Sequence, residues 1–451
     1  MRVHALSLLL LSTVAGAAHA QVFPTNYMAA LEQGLSNRLE VGRDRASSDM
    51  AAARVSEAKG AFLPTLTAYS TLQHIKIYND FSPIKIGFDF AGQNVPVTVT
   101  NSLPPYELST GLDLRYNLYA GGADQARLDA AHAARRAADA STQVTRQQLV
   151  EEVTRAYWSV VKAKVDARRI HRAVDQANAE AQIASVQYQQ GNLAQVEAEV
   201  KALAAQVQEA EWQSSQRALA DLIRRYLLAI GMDGTPQSVQ ALQQMPAFEE
   251  VQGIDALNPA TLLSSLHLTN AAQVKRERAE LDSASAGIVQ ARANAKPTLD
   301  FFVRYNSVGR STMGFDNAVS QYGRDATYVG LQLSWKLFDG FRTDSRIKHE
   351  LATVEKKRGM VELAQRNAEH EWQDRLSHVN DLDDKLALAK KQLALGEAQL
   401  KVAQMRLETK LGSATQTQAK ANALEDARDK MTGIKIDAFV ARLEELLARP
   451  E

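Results

Sequence analysis

The chain has 451 residues, enough for two or three ordinary domains or one duplicated one, and its 52 Lys and Arg are balanced by 52 Asp and Glu. That balance leaves no basic field for a nucleic-acid partner, and none is expected. There is no cysteine, which excludes disulfides, thiolate metal sites and cysteine nucleophiles.

In chain order, Arg2, the apolar run from Ala5 to Ala17 and Ala18-His19-Ala20 read as a signal peptide over residues 1–20, with a mature chain from Gln21. Position 21 is not cysteine, so a bacterial lipid anchor at that point is ruled out. No later run of apolar residues is long enough for a membrane helix, so any crossing of a membrane must use strands. Residues 23–60 read as a helix that stops before Pro64. A strand follows over 66–77, then a loop rich in Pro, Gly and Asn over 78–107. The strand 109–119 alternates: Leu112, Leu114, Tyr116 and Leu118 face one way, Asp113, Arg115 and Asn117 the other. Gly121-Gly122 turns the chain into a helix over 123–190, roughly 100 Å long at the usual rise. Gly191-Asn192 breaks it, and a further helix runs over 193–230.

Residues 231–258, with Pro236 and Pro246, read as an irregular connecting segment. The plan then repeats. A helix over 260–295 ends before Pro297, a strand covers 298–306, a polar loop 307–326, and a fourth strand 328–338. Asp339-Gly340 turns the chain into a helix over 342–411, followed by a last helix over 413–448. The sequence itself recurs: LRYNLYAGGADQARL at 114–128 returns as LSWKLFDGFRTDSRI at 333–347. Leu114, Leu118, Gly121 and Arg127 return as Leu333, Leu337, Gly340 and Arg346, and the aromatics Tyr116 and Tyr119 as Trp335 and Phe338. Residues 21–230 and 259–448 are thus read as two structural repeats joined by 231–258.

The long helices carry heptads. Leu386, Leu393, Leu400 and Leu407 form one stripe, Leu388, Leu395 and Val402 a second, and Leu193, Val196, Val200, Leu203 and Val207 a third. Two stripes on one helix imply two helical neighbours, as in a wall of helices. No basic region adjoins the leucines, so a DNA-binding zipper is disfavoured. The strands carry one apolar and one polar face, with Tyr116, Tyr119, Trp335 and Phe338 near their ends, where a membrane interface favours aromatics. A soluble sheet with one buried face gives the same alternation. The export signal, and the lack of further sequence for a core beneath these strands, favour lipid. Four strands cannot close a transmembrane barrel, and an open edge in lipid is forbidden, so several copies must share one barrel. Two copies give eight strands and a filled interior; three give twelve and a lumen.

The signal peptide, the paired strands, LYAGGADQARLDAA at 118–131, LFDGFRTDSRI at 337–347 and the hairpins breaking at YQQGNL and LETKLGSA resemble the TolC-like outer membrane efflux protein family. The resemblance covers essentially the whole mature chain. It implies a mainly α fold with a small β part: long coiled-coil hairpins forming a periplasmic α-barrel, and four strands per chain contributing to a 12-stranded transmembrane β-barrel in a homotrimer. It implies a passive exit duct in the outer-membrane lipid of a Gram-negative cell, without enzymatic activity or cofactor, served by a periplasmic adaptor (membrane fusion) protein and an inner-membrane pump. By the same resemblance the periplasmic tip and adaptor-docking residues are Tyr188, Gly191, Asn192 and Leu193 in the first hairpin and Leu407, Gly412, Ser413 and Ala414 in the second. Glu197, Thr409 and Gln418 are candidates to line the tip. Gly191 and Gly412 match the family's tip glycines, and a left-handed turn between antiparallel helices favours glycine. The acidic pair that many relatives carry beyond the second tip glycine falls here on Gln418 and Ala421. The aromatic and arginine that lock some relatives' tips fall on Thr409 and Ala414. A cation-selective, salt-bridge-locked entrance is therefore not carried over, and closure by coiled-coil packing and amide hydrogen bonds is expected instead.

No GxSxG, HExxH, Walker or GxGxxG pattern is present. His370 and His378 lie on one predicted helix and read as part of a solvated face, as does the cluster Asp381, Asp383 and Asp384. Gly121, Gly122, Asp339 and Gly340 read as strand-to-helix turns. Two alternatives remain at this stage: the outer-membrane component of a type I protein secretion system, and a soluble periplasmic coiled-coil adaptor or scaffold.

Overall fold

A computed structural model describes residues 26–76, 84–90, 93–99, 104–244, 254, 257–266, 268 and 271–450. The expected signal peptide lies outside the described residues. Ten helices and six strands occur among those described, in the order α1 (Tyr27–Asn37), α2 (Leu39–Gly60), β1 (Thr65–His74), β2 (Ile84–Phe90), β3 (Gln93–Val99), β4 (Tyr106–Tyr119), α3 (Ala123–Gln189), α4 (Gln195–Ala229), α5 (Pro236–Gln244), α6 (Pro259–Ser265), α7 (Ala272–Ala293), β5 (Thr298–Ser311), α8 (Phe315–Ser320), β6 (Arg324–Ser334), α9 (Arg342–Glu408) and α10 (Ala414–Ala448). Corresponding helices have equal lengths: 67 residues in α3 and α9, 35 in α4 and α10, 22 in α2 and α7. No described helix is long and apolar enough to cross a membrane.

The chain divides into two units. One holds residues up to Val41, Thr145–Leu268 and Trp372–Ala448. Its core is aromatic. Tyr27 of α1 lies 5.5 Å from Trp158 of α3 and 5.9 Å from Phe439 of α10, and Tyr157 lies 5.9 Å from Tyr226 of α4. Tyr27, Tyr157, Trp158, Ile223, Leu227 and Leu443 are fully buried. The Tyr27 hydroxyl meets Thr154 Oγ1 at 2.7 Å, so its polar end is satisfied inside the core. Gly34 permits the close approach of α1 to α3, since a Cβ there would stand 2.7 Å from Val153 Cγ2. Ion pairs join the helices around this core. Arg375 on α9 donates to Glu151 on α3 at 2.8 Å, Lys162 on α3 to Asp437 on α10 at 2.6 Å, and Arg442 on α10 to Asp383 on α9 at 2.5 Å.

The other unit holds Gly42–Val144 and Thr269–Glu371, with residues 449–451. It contains all six strands. β1, β4, β5 and β6 form one antiparallel sheet in that order, and β2 and β3 form a separate hairpin. The helical segments of this unit are tied by Arg136 to Asp282 at 2.9 Å, Ser48 to Asp139 at 2.5 Å, and Lys357 to Glu280.

Several expected boundaries move. The helix expected over 23–60 breaks at Arg38, whose backbone is extended. Its guanidinium donates to Glu40 and Glu152, both at 2.9 Å, and to the Leu228 carbonyl at 3.1 Å. Glu152 and Leu228 are tertiary partners, 114 and 190 residues away, that a local pattern cannot reveal. The expected irregular segment 231–258 contains α5. Pro236 starts this helix, because proline is accommodated in a first turn, and the Thr235 hydroxyl accepts from the Ser238 amide at 3.3 Å. The helix expected over 260–295 divides into α6 and α7, with Ala271 held left-handed at the start of α7. The loop expected over 78–107 contains β2 and β3. The loop expected over 307–326 contains the end of β5, α8 and the start of β6. Strand one ends at His74, and strand four spans Arg324–Ser334 in place of 328–338.

Lys164 on α3 is buried and donates to the Leu242 carbonyl of α5 at 2.6 Å. Burial pushes its ammonium down from 10.5 to about 8. Between those values the unfolded chain holds a proton that the folded chain has released, so stability rises with pH across this window. Comparison of wild type with Lys164→Met by urea unfolding is therefore expected to shift in favour of wild type as pH rises from about 8 towards 10.5, and to stay level below about 7.

Candidate functional site

Two places carry the candidate residues: the four-stranded sheet with its helix-forming turns, and the two hairpin tips. In the sheet, alternation and register together sort the side chains. One face holds the rows Leu66, Leu114, Val303 and Val329; Ala68, Leu112, Tyr305 and Thr327; and Tyr116, Phe301 and Leu331. The opposite face holds Asp113, Arg115, Asn117, Asp300, Arg304 and Gln332. On that face Asp113 Oδ2 accepts from Arg304 at 3.2 Å and from Arg115 at 3.3 Å. Glu107 accepts from Arg310 at 2.6 Å and from Gln73 at 2.9 Å, and Ser109 donates to Asn306 at 2.9 Å. These rungs join β1, β4 and β5 across a hydrophilic surface. The lower rows of the apolar face are open: Leu66, Leu331 and Leu333 are each about two-thirds exposed.

At its far end the apolar face turns polar, with Ser70, Thr110, Ser307 and Asp325 in one row. Here α8 packs down. A Cβ on Gly309 would clash with the Ala318 carbonyl, Phe315 meets Tyr106 edge-on at 4.8 Å, and the Tyr322 hydroxyl bonds Thr110. The open apolar band is thus bounded by α8 at one end and by aromatics at the other. Trp335, Phe338 and Tyr119 are exposed there, and Tyr116 is half-buried. Trp335 Nε1 donates to the Ala295 carbonyl at 3.0 Å, and Phe338 meets Phe341 at 5.6 Å in a T-shape.

The turns below these aromatics behave alike. Gly121 and Gly340 have φ +67° and +69°. A Cβ on Gly121 would stand 2.9 Å from the Ala293 carbonyl oxygen, so glycine is required there for space as well as for φ. The following residues are Gly122, at φ +93°, and Phe341, at φ +62°. Asp339 caps α9, its carboxylate accepting from the amides of Arg342 at 3.1 Å and Thr343 at 3.0 Å.

The hairpin tips are built by one turn design. In the first, the Gly191 amide donates to the Tyr188 carbonyl at 2.9 Å and the Asn192 amide to the Gln187 carbonyl at 2.9 Å. In the second, Lys410 donates to the Leu407 carbonyl at 3.0 Å and Leu411 to the Arg406 carbonyl at 2.8 Å. This is the Schellman pattern, with its left-handed residue after the helix. That residue is Gly191 at φ +74° in the first tip and Lys410 at φ +59° in the second. The expected pairing of Gly191 with Gly412 is thus displaced. Gly412 is not left-handed; it sits against Arg406, just before Ser413, whose hydroxyl accepts from the Gln416 amide at 3.1 Å and caps α10.

Glu197 is exposed and lines a groove with Ile183, Leu193, Val196 and Val200 of its own hairpin and Thr415 of the other. Thr409 donates back to the Met405 carbonyl at 2.9 Å, and Gln418 donates to Asn422 at 3.0 Å along its own helix. Asn422 then donates to Gln176 on α3 at 3.3 Å, and Lys420 to Gln399 on α9 at 3.1 Å. Sequence reading missed the stronger link above them. Arg172 on α3 donates to both Asp426 and Asp429 on α10, at 2.9 and 2.5 Å. Their spacing on one helix face was legible, but their partner on another helix was not. Lys201 closes the first hairpin on Glu180 at 2.8 Å, and this hydrogen bond, with a second from Gln176, holds the Glu180 carboxyl below its usual range. Asp381 and Asp383, read as solvated, are occupied by Lys385 and Arg442. Among the described residues no cluster of three His, Cys, Asp or Glu is placed to hold a metal.

The tip turns give a direct test. Lys410→Gly removes a left-handed strain of about 1 kcal/mol, whereas Gly191→Ala introduces a similar one. Hydrogen exchange at the tip amides is expected to slow in the first variant and quicken in the second.

The model of the outer membrane efflux protein family matches residues 30–226 and 263–438. Among solved structures, the outer membrane protein VceC of Vibrio cholerae is similar with a TM-score of 0.70 at 15% identity, over 94% of this chain and 95% of that one. The CmeC outer membrane channel of Campylobacter jejuni is similar with a TM-score of 0.68 at 12% identity, over 94% and 85%. The MtrE outer membrane channel of Neisseria gonorrhoeae, in its open state, gives 0.61 at 14% identity, over 94% and 88%. At these identities the structural likeness establishes the fold. No curated protein sequence matches the chain.

Proposed function

The chain belongs to the outer membrane efflux protein family, and on that premise we propose that three copies assemble into a channel-tunnel serving as the passive exit duct of a tripartite efflux system. The observation that carries this reading is the sheet: four strands with an uncovered apolar face, an ion-paired polar face and an unpaired strand at each edge. Three such sheets make twelve strands, enough for a lumen, with the apolar rows towards lipid and Asp113, Arg115, Asp300 and Arg304 towards water. The helices fit the same assembly. Leu386, Leu393 and Leu400 are half-buried within one chain, whereas Leu388, Leu395 and Val402 of α9 and Val196, Val200, Leu203 and Val207 of α4 stay exposed. The exposed stripes suit neighbours contributed by other copies.

In this reading the inner-membrane pump supplies the energy and the periplasmic adaptor engages the hairpin tips around Tyr188–Leu193 and Leu407–Ala414. Opening shifts the helix pairs between two packed arrangements. Closure rests on helix packing, on amide contacts such as Asn422 to Gln176, and on Arg172 with its two aspartates. No dense acidic ring lies at the second tip, where Gln418 and Ala421 stand. Relatives of the chain are channels, and the duct carries out no bond chemistry in this scheme.

Purified protein reconstituted in a planar bilayer, with its subunits counted, is expected to behave as a trimer with a small, gated conductance. Micromolar trivalent cations on the periplasmic side are expected to leave that current largely intact. A monomer stable in plain buffer would contradict the proposal, and strong cation block would contradict the account of closure.

A further inference from the structure

A single chain lacks the strand pair that would continue its sheet, yet it contains a template for that pair. Pro64-Thr65-Leu66 at the head of β1 recurs as Pro297-Thr298-Leu299 at the head of β5, and Leu114 to Tyr119 in β4 recurs as Leu333 to Phe338. Carrying β1 onto β5 and β4 onto β6 by these equivalences converts the register of one pair into that of the other. Thr65 opposite Arg115 becomes Thr298 opposite Ser334, and Leu66 opposite Leu114 becomes Leu299 opposite Leu333; both images are observed. The equivalence therefore governs pairing geometry as well as sequence. Applied to β4 with β5, it calls for β6 beside a strand equivalent to β1. Among the described residues, β1 pairs only with β4 and β6 only with β5.

Resting on the trimeric reading above, we infer that β6 pairs with β1 of a second copy in this transferred register. Leu331 lies opposite the partner's Leu72, Leu333 opposite the partner's Ser70, and Trp335 opposite the partner's Ala68. Phe338, past a bulge, lies opposite the partner's Leu66. These are the images of Leu112 with Tyr305, Leu114 with Val303, Tyr116 with Phe301, and Tyr119 with Leu299, the bulge falling between Asn117 and Tyr119.

The faces agree. Val329, Leu331 and Leu333 share a face with Leu66, Ala68, Ser70, Leu72 and His74, so the transferred register keeps that face continuous across the joint. Leu331 stands against the partner's Leu72 and Trp335 against the partner's Ala68, while the partner's Ser70 and the partner's His74, both polar, meet Leu333 and Val329. A one-residue slip would exchange the faces of every strand beyond the joint. The row Leu66, Leu114, Val303, Val329 continues to the partner's His74, an even displacement along β1 that closure with conserved faces requires. The pairing also accounts for the early end of β6. β4 runs on to Tyr119 because β5 reaches Phe301 and Leu299 beside it, whereas the corresponding residues of the second repeat, Trp335 to Phe338, have no strand beside them among the described residues of one chain. The partner's Ala68 and Leu66 supply that strand. The edge side chains concerned are open: Leu66, Leu72, Leu331 and Leu333 are all more than half exposed.

Because the chain has no cysteine, introduced disulfides report this joint without background. Leu331→Cys is combined in turn with Ser70→Cys, Leu72→Cys and His74→Cys in the full-length protein in membranes, and oxidised chains are separated without reductant. Directly opposite residues stand about 5 Å apart, within disulfide reach, and residues displaced by two stand at about 7–8 Å, beyond it. Leu331→Cys with Leu72→Cys is expected to give covalent dimers and trimers at about fivefold the yield of either flanking pair. A maximum at position 70 or 74 overturns the register and leaves the trimer standing. A trimer that links at none of the three overturns the pairing of β6 with β1. A chain that sediments as a monomer in detergent overturns the trimeric reading itself, and the inference with it.

Discussion

A backbone amide or carbonyl in hydrocarbon must find a partner, because leaving one unpaired there costs several kcal/mol. The organisation of this protein follows from that requirement. Its sheet has an apolar face suited to lipid, yet among the described residues β1 and β6 each leave one side of their backbone without a strand partner. A sheet with such a face and open edges is not a finished membrane structure. In the proposed trimer the chain is a portion of a wall, and its remaining hydrogen bonds go to other copies.

The same incompleteness recurs in the helices on a different scale. α4 and α9 each expose an apolar stripe of coiled-coil spacing, whereas Leu386, Leu393 and Leu400 of α9 are half-buried within the chain. These uncovered leucines and valines are the helical counterpart of the open strand edge. By contrast, the aromatic cluster of Tyr27, Trp158, Tyr226 and Phe439 is complete in one chain, with the Tyr27 hydroxyl satisfied by Thr154. It gives each protomer a packed centre of its own, braced by Arg375 with Glu151 and Lys162 with Asp437. One chain thus combines a self-sufficient core with surfaces that need company.

Much of this is legible in the sequence. Alternation along Leu112, Asp113, Leu114, Arg115 and Tyr116 identifies both faces of β4, a long run without Gly or Pro identifies α3, and the leucine heptads identify α9. The glycines at 121 and 340 identified the turns. Readings failed where a residue's role depends on something distant. Lys410 takes the left-handed position that glycine takes at 191, because the Schellman hydrogen bonds fix the turn by its distance from the helix end. Pro236 read as a breaker although it begins α5, since its context and not its identity decides which role it plays. The ion pairs from Arg172 to Asp426 and Asp429 joined helices that are far apart in sequence.

The sequence by itself determined the periods of two and seven, the duplication of the strand-turn-helix motif and the absence of thiol chemistry. Each is written in neighbouring residues, and local sterics suffice to enforce it. Tertiary structure alone decided where the first long helix breaks, at Arg38, and where strand four stops, at Ser334. In the first case the guanidinium is drawn to Glu152 and the end of α4. In the second, the adjoining strand begins at Thr298, and among the described residues no strand pairs with the chain beyond Ser334. Element ends are set by partners across space, and no local pattern contains the partner.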